Sequence, residues 1–158
     1  MEKKYELLKD DSIKFGKRTL YCIRALRDFN DVNEGDLGGY IEKETNLSHD
    51  GNCWVSGDAK VFGNACVSGN ACVYNNAKIY SNAHITNIND YIVIGPIGGR
   101  NDFTTFYLTK DKEIMVSCGC FNDTIDEFIK AVNKTYKNND KYKKQYLSTI
   151  TYVKTLID

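Results

Sequence analysis

Between Asn52 and Thr86 the apolar and polar positions of this chain recur every six residues. In register the segment reads Gly51-Asn-Cys-Trp-Val-Ser, Gly57-Asp-Ala-Lys-Val-Phe, Gly63-Asn-Ala-Cys-Val-Ser, Gly69-Asn-Ala-Cys-Val-Tyr, Asn75-Asn-Ala-Lys-Ile-Tyr and Ser81-Asn-Ala-His-Ile-Thr. Each unit has a β-branched aliphatic in fifth place, and all but the first have alanine in third place. A period of six with an inner period of two excludes an amphipathic helix, whose apolar period is 3.6. It is the hexapeptide signature of a parallel β-helix.

Side chains alternate along a short strand, so Val55, Val61, Val67, Val73, Ile79 and Ile85 point inward together with Ala59, Ala65, Ala71, Ala77 and Ala83. Gly51, Gly57, Gly63, Gly69, Asn75 and Asn76 are expected to supply the positive φ of the sharp corners. If three units make one turn, residues eighteen apart stack at about 4.8 Å, the spacing of neighbouring strands. Asn52 then lies against Asn70, Asp58 against Asn76, Asn64 against Asn82, and His84 over Cys66.

The flanks follow other patterns. Tyr5 to Phe29 reads as a β-hairpin, with turn residues at Asp10-Asp11-Ser12 and Phe15-Gly16-Lys17. Gly35, Gly38 and Gly39 permit a tight connection into the first coil, so residues 1–40 form an N-terminal β cap that closes the open end of a solenoid at 41–92. A strand at Tyr91–Ile94 leads to Gly95-Pro96, a turn that holds the only proline and is placed as the hinge to the C-terminal region, 93–158. There two strand-like runs, Phe103 to Thr109 and Ile114 to Cys120, make a hairpin with a charged tip. Thr124 and Glu127 form a capping box that starts a helix with Ile125, Phe128, Ile129 and Val132 on one face. Asn138-Asn139-Asp140 ends it and caps a second helix, with Tyr142, Tyr146, Leu147, Ile150, Val153 and Ile157 at helical spacing. The fold expected is mainly β: a short parallel β-helix, an N-terminal β cap, and a hairpin with two helices.

With 158 residues the chain is long enough to bury a core. Lysine plus arginine equals aspartate plus glutamate, at 21 each; this zero net charge argues against extended nucleic acid as a partner. No run reads as a membrane helix or signal peptide, which predicts a cytoplasmic protein whose six cysteines are thiols.

The richest candidate chemistry is Gly98-Gly99-Arg100-Asn101 followed by Thr104 and Thr105. Backbone amides beside glycines, an arginine and two hydroxyls suit a phosphate or another small anion. Arg24 and Arg27 are further candidate ligand contacts. Nearby aromatics, including Tyr91, Phe103, Phe106, Tyr107 and Phe121, add stacking surface for a nucleotide. No metal site is expected: Cys66 and Cys72 fall on different faces, and Cys118-Gly-Cys120 has one intervening residue where zinc pairs prefer two to four. No motif asks for a cofactor. Trp54, Phe62, Tyr74 and Tyr80 are expected to face outward, as surface for subunit or partner contact.

The run Arg24-Ala-Leu-Arg-Asp-Phe, Gly35-Asp-Leu-Gly-Gly-Tyr-Ile, Asn46-Leu-Ser, the hexapeptides, Ile94-Gly-Pro-Ile-Gly-Gly-Arg-Asn and Val116-Ser-Cys-Gly-Cys-Phe resembles a family of small hexapeptide-repeat proteins of phages and prophages. Members are often labelled transferases by fold alone. The resemblance covers almost the whole chain and implies a left-handed β-helix of viral origin, in the cytoplasm of an infected bacterial host, with no established reaction. Trimers, or multiples of them, are usual for this fold.

Three functions are compatible with these residues. The first is a non-catalytic phage protein that antagonises host defence by sequestering a small nucleotide-type signal at subunit interfaces. The second is a hexapeptide acyltransferase with an interfacial histidine, His84, as general base. The third is a structural or protein-binding inhibitor module.

Overall fold

The computed structural model describes residues 2–157. The protein is mainly β, with two helices near its C-terminus. It divides into two compact units, one ending at Ile88 and the other beginning at Asn89.

The first unit opens with the antiparallel strands β1 (Tyr5–Phe15) and β2 (Arg18–Ala25). The chain reverses at Gly16, whose φ of +61° a side chain would disfavour. Asp10-Asp11-Ser12, expected as a turn, instead lies within β1, where the register slips between Leu7 and Ser12. A bulge accommodates these polar residues without ending the strand.

Strand β3 (Leu37–Ile41) pairs antiparallel with β2 and parallel with β5 (Lys60–Val61). From there the hexapeptides pair in parallel with the unit eighteen residues further on. β4 (Trp54–Val55) meets β7 (Cys72–Val73), β5 meets β8 (Lys78–Ile79), and β6 (Cys66–Val67) meets β9 (His84–Ile85). The predicted stacking of His84 against Cys66 is therefore present, and Trp54 lies against Cys72 in the same way. All six aliphatics in fifth place are fully buried, and Ala59 to Ala83 are at most 2% exposed. Gly51, Gly57, Gly63 and Gly69, with Asn75 and Ser81, take positive φ at the corners.

The first coil is irregular, and a buried amide repairs it. Asn46 Oδ1 accepts from the backbone amides of Glu42 (3.2 Å) and Lys43 (2.9 Å), while its Nδ2 donates to the carbonyls of Gly63 (3.2 Å) and Ala65 (2.9 Å). One side chain thus reaches four backbone groups, of which the Glu42 amide also donates to the Val61 carbonyl at 3.2 Å.

Two of the aromatics expected on the outside are covered. Trp54 is 5% exposed, with Tyr5 and Phe29 edge-on to it; Phe62 is 3% exposed, between Phe15 and the stacked ring of Tyr80. The β1–β2 hairpin and the Phe29 loop supply this cover, which the hexapeptide pattern could not reveal. Tyr74 remains exposed.

In the second unit four strands form an antiparallel sheet in chain order: β10 (Tyr91–Ile97), β11 (Asp102–Leu108), β12 (Ile114–Cys118) and β13 (Phe121–Thr124). The expected hairpin is its middle pair. Pro96 lies within β10, where the pairing with β11 slips, and the reversal comes after it, at Gly98–Asn101. The run Ile114 to Cys120 ends early because Gly119, at φ +58°, turns the chain back into β13. Helix α1 (Ile125–Thr135) is capped by Thr124, whose side chain accepts from the Glu127 amide, and α2 (Asp140–Leu156) by Asn139, which accepts from Tyr142. Both helices bury their apolar faces with Phe106 and Val116 of the sheet, through Phe128, Val132, Tyr146, Ile150 and Val153. Among the described residues no helix is long and apolar enough to cross a membrane.

Candidate functional site: an aromatic cavity in the second unit

Four separate segments of the second unit line an open cavity of about 270 Å³. The β10–β11 turn contributes Arg100 and Asp102; the β12–β13 turn contributes Cys118, Gly119, Cys120 and Phe121. Helix α1 lends Phe128, Ala131, Val132, Thr135 and Tyr136, and α2 lends Tyr146. Phe128, Val132 and Tyr136 reach it because they lie four residues apart on one helical stripe.

The walls are aromatic. Tyr136 and Tyr146 stack with centroids 5.6 Å apart and planes at 21°. Phe128 stands edge-on to Tyr146 at 5.6 Å and tilts against Phe121 at 5.2 Å. Polar groups are few and face this apolar surface. Thr104 Oγ1 donates to Cys118 Sγ at 3.4 Å, and Cys118 Sγ lies 3.9 Å from Tyr146 Oη. Burial, then the neighbouring Cys118 and Tyr136, push the Tyr146 phenol above its ordinary pKa, so it stays protonated and able to donate.

Arg100 is exposed and takes part in none of the ion pairs among the described residues. It lies against Gly119: a β-carbon there would sit 3.1 Å from Nη1, so the missing side chain makes room for the guanidinium. An arginine at the rim of an aromatic cavity can hold an anionic group while the rings hold a planar one.

The other predicted residues have different employment. The Gly98 amide donates to Gln145 Oε1 at 2.9 Å, and a β-carbon on Gly98 would fall 2.0 Å from Tyr146 Oη. Gly98 thus lets the turn press onto α2 instead of cradling an anion. The Asn101 amide closes the turn onto the Gly98 carbonyl, and Gly99 is exposed beside Tyr142. Thr104 and Thr105 are 0% and 1% exposed, so their hydroxyls are withdrawn from the surface. In the first unit Arg24 is paired with Glu6, directly across the β1–β2 ladder, and Arg27 lies over the Phe29 ring.

His84 is half-buried in its column over Cys66. His49 stacks on Tyr5 at 4.2 Å and accepts the Lys4 amide on Nδ1. All six cysteines are free thiols, and no cluster of three or more histidine, cysteine or acidic side chains exists among the described residues. Burial raises the pKa of Cys66 and Cys72, which keeps both thiols protonated.

Tyr136, Tyr146, Cys118 and Cys120 were not singled out as site residues from sequence. Their one early signal was that Tyr136 continues the Phe128–Val132 stripe by another turn.

Fold and cavity together define a mainly β protein whose hexapeptides pair in parallel at eighteen-residue spacing and whose second unit carries an open, aromatic-walled cavity. No family model matches the chain. A segment of 33 residues is 54% identical to part of a protein of Escherichia coli (strain K12) described as "Uncharacterized acetyltransferase YdcK". That match covers 21% of this chain and 10% of the other protein, so the chain spans only about a tenth of the relative's length.

Proposed function

We propose that this is a non-catalytic binding protein that captures a small anionic, nucleotide-type ligand in the cavity of its second unit. The observation that carries the proposal is the guanidinium of Arg100, in none of the ion pairs among the described residues, at the rim of an aromatic-walled cavity. A concave apolar site with a few convergent polar groups is the usual form of a small-molecule site. Capture requires affinity and no turnover, and the cavity holds no histidine and no base aligned on a nucleophile. In this reading the ligand site lies within one chain, and not at the subunit interface expected from sequence.

The first unit, with three parallel ladders at eighteen-residue spacing, supports its assignment as a short left-handed β-helix. The phage-type resemblance of the flanking motifs supplies the context: a protein that withdraws a host signalling nucleotide during infection, as a homo-oligomer of three chains or a multiple of three.

Calorimetric titration of the full chain with cyclic nucleotides and ADP-ribose derivatives tests this, followed by denaturation and recovery of the ligand. Intact ligand is expected. A charge-assisted hydrogen bond contributes about 1.5–3 kcal/mol, so Arg100→Ala should weaken binding by about 10- to 150-fold. Chemically altered ligand refutes the non-catalytic assignment. Native mass spectrometry reads the number of chains in the same sample.

The short match to a protein named as an acetyltransferase favours a second reading, acyl transfer with His84 as base. If acetyl-coenzyme A is consumed and His84→Ala abolishes turnover, that reading replaces the first.

A further inference from the structure

The size and charge of the cavity narrow the class of ligand. Sites that enclose drug-sized molecules span about 300–1,000 Å³. At about 270 Å³, just below that range and open on one side, this cavity suits one ring system with one compact charged group, and a second nucleobase would lie outside its aromatic walls.

The charge at the rim is equally restrictive. Arg100 brings one positive charge, and Asp102, two residues on at the same turn, brings one negative charge to the same lining. Asp102 Oδ1 accepts the Phe103 amide at 2.7 Å, which holds the carboxylate in place. A free terminal phosphate carries about −1.5 to −2 at neutral pH, so its second charge would meet Asp102 with no further cation in the lining to answer it. A phosphodiester carries a single charge and still offers two oxygens to a guanidinium.

We infer that the preferred ligand is a cyclic mononucleotide: one base against Phe121, Tyr136 and Tyr146, and one singly charged phosphodiester on Arg100. This rests on the reading of the cavity as the ligand site. In it Asp102 is a specificity residue that rejects doubly charged phosphates.

The test compares four probes by calorimetry on the full chain: adenosine 3′,5′-cyclic phosphate, adenosine 5′-phosphate, cyclic di-adenylate and benzoate. The cyclic mononucleotide is expected to bind at least tenfold more tightly than each of the others, and Arg100→Ala to weaken that binding by about 10- to 150-fold. Asp102→Asn keeps the acceptor for the Phe103 amide and removes the charge, so it should raise affinity for adenosine 5′-phosphate severalfold more than for the cyclic ligand. That shift in selectivity is one a merely structural role would not produce. Arg100-dependent binding in which adenosine 5′-phosphate, cyclic di-adenylate or benzoate equals or exceeds the cyclic mononucleotide overturns the inference and leaves the cavity as a ligand site. Equal selectivity in Asp102→Asn overturns the role of Asp102. Failure of all four probes to bind overturns the reading of the cavity itself.

Discussion

Replacing Gly98 with alanine tests how the turn, the second helix and the cavity depend on one another. A β-carbon on Gly98 would lie 2.0 Å from Tyr146 Oη, 2.6 Å from its Cζ and 2.7 Å from its Cε2, all inside contact distance, and the residue sits at φ +75°. Tyr146 is 5% exposed and held between Tyr136 and Phe128, so it has little room to retreat. Overpacking of this kind costs about 1–3 kcal/mol, and the left-handed conformation about 1–2 more for a residue with a β-carbon. The expected loss is therefore about 2–5 kcal/mol. With a urea slope of about 1–3 kcal/mol/M, the midpoint followed by helical circular dichroism falls by on the order of 1 M. Gly99→Ala is the matched control, since its β-carbon would meet nothing closer than Tyr142 Cε2 at 3.4 Å, and its φ is not positive. It should cost less than about 0.5 kcal/mol, as ordinary surface changes do. Adding Tyr146→Phe to Gly98→Ala removes the nearest clashing atom and should recover part of the loss. If Gly98→Ala is no less stable than Gly99→Ala, the close packing of the turn on α2 is wrong, and the wall of the cavity with it.

Three further outcomes follow from the same structure. Ile79→Ala, at a fully buried position of the coil, should destabilise by about 2–5 kcal/mol in urea unfolding. At the corners, Gly51→Ala should be disruptive, because its β-carbon would lie 2.4 Å from the Gly69 carbonyl oxygen; Gly57→Asn should be nearly neutral in the same assay, with nothing closer than 3.8 Å and Asn75 already at φ +61° in the next turn of that corner. The raised pKa of Tyr146 means that the unfolded chain loses this proton first, near pH 10, so the folded state holds the extra proton above that pH. Its contribution to stability is complete below about pH 10 and lost as pH rises toward the folded value. Tyr146→Phe, which leaves Cys118 of β12 and Tyr136 of α1 facing the ring, should flatten part of the alkaline decline seen in thermal melts between pH 9 and 11.

The coil was legible because its information is local and repeated: a small residue in third place and a β-branched one in fifth suffice to point Val67 and Ala71 inward. The same regularity hid what lies outside it. Trp54 and Phe62 occupy outward positions of their hexapeptides, yet Phe29, Tyr5 and Phe15 cover them, and no periodicity reports contacts between such distant parts of the chain. The cavity was legible only at Arg100 and Phe121. Its other walls come from a helix stripe that also serves as core, so Phe128 and Val132 carry no mark of a second role. Gly98 was visible as a glycine that matters, but the reason is the ring of Tyr146 above it, which only the packing of α2 reveals.

The buried amide of Asn46 has a consequence for how such a protein can change length. Its Nδ2 reaches the carbonyls of Gly63 and Ala65, backbone groups that each hexapeptide presents in turn. Excision of residues 57–74 would remove one whole circuit and bring Lys78 to the place of Lys60 beside Tyr40, with every column intact. Excision of a single hexapeptide would keep the interior pattern and bring the carbonyls of Gly69 and Ala71 to Asn46, but it would shift the outer columns by one unit, setting Cys66 against Tyr40. Changes of eighteen residues thus preserve the inner and outer columns alike, whereas changes of six preserve the inner ones alone.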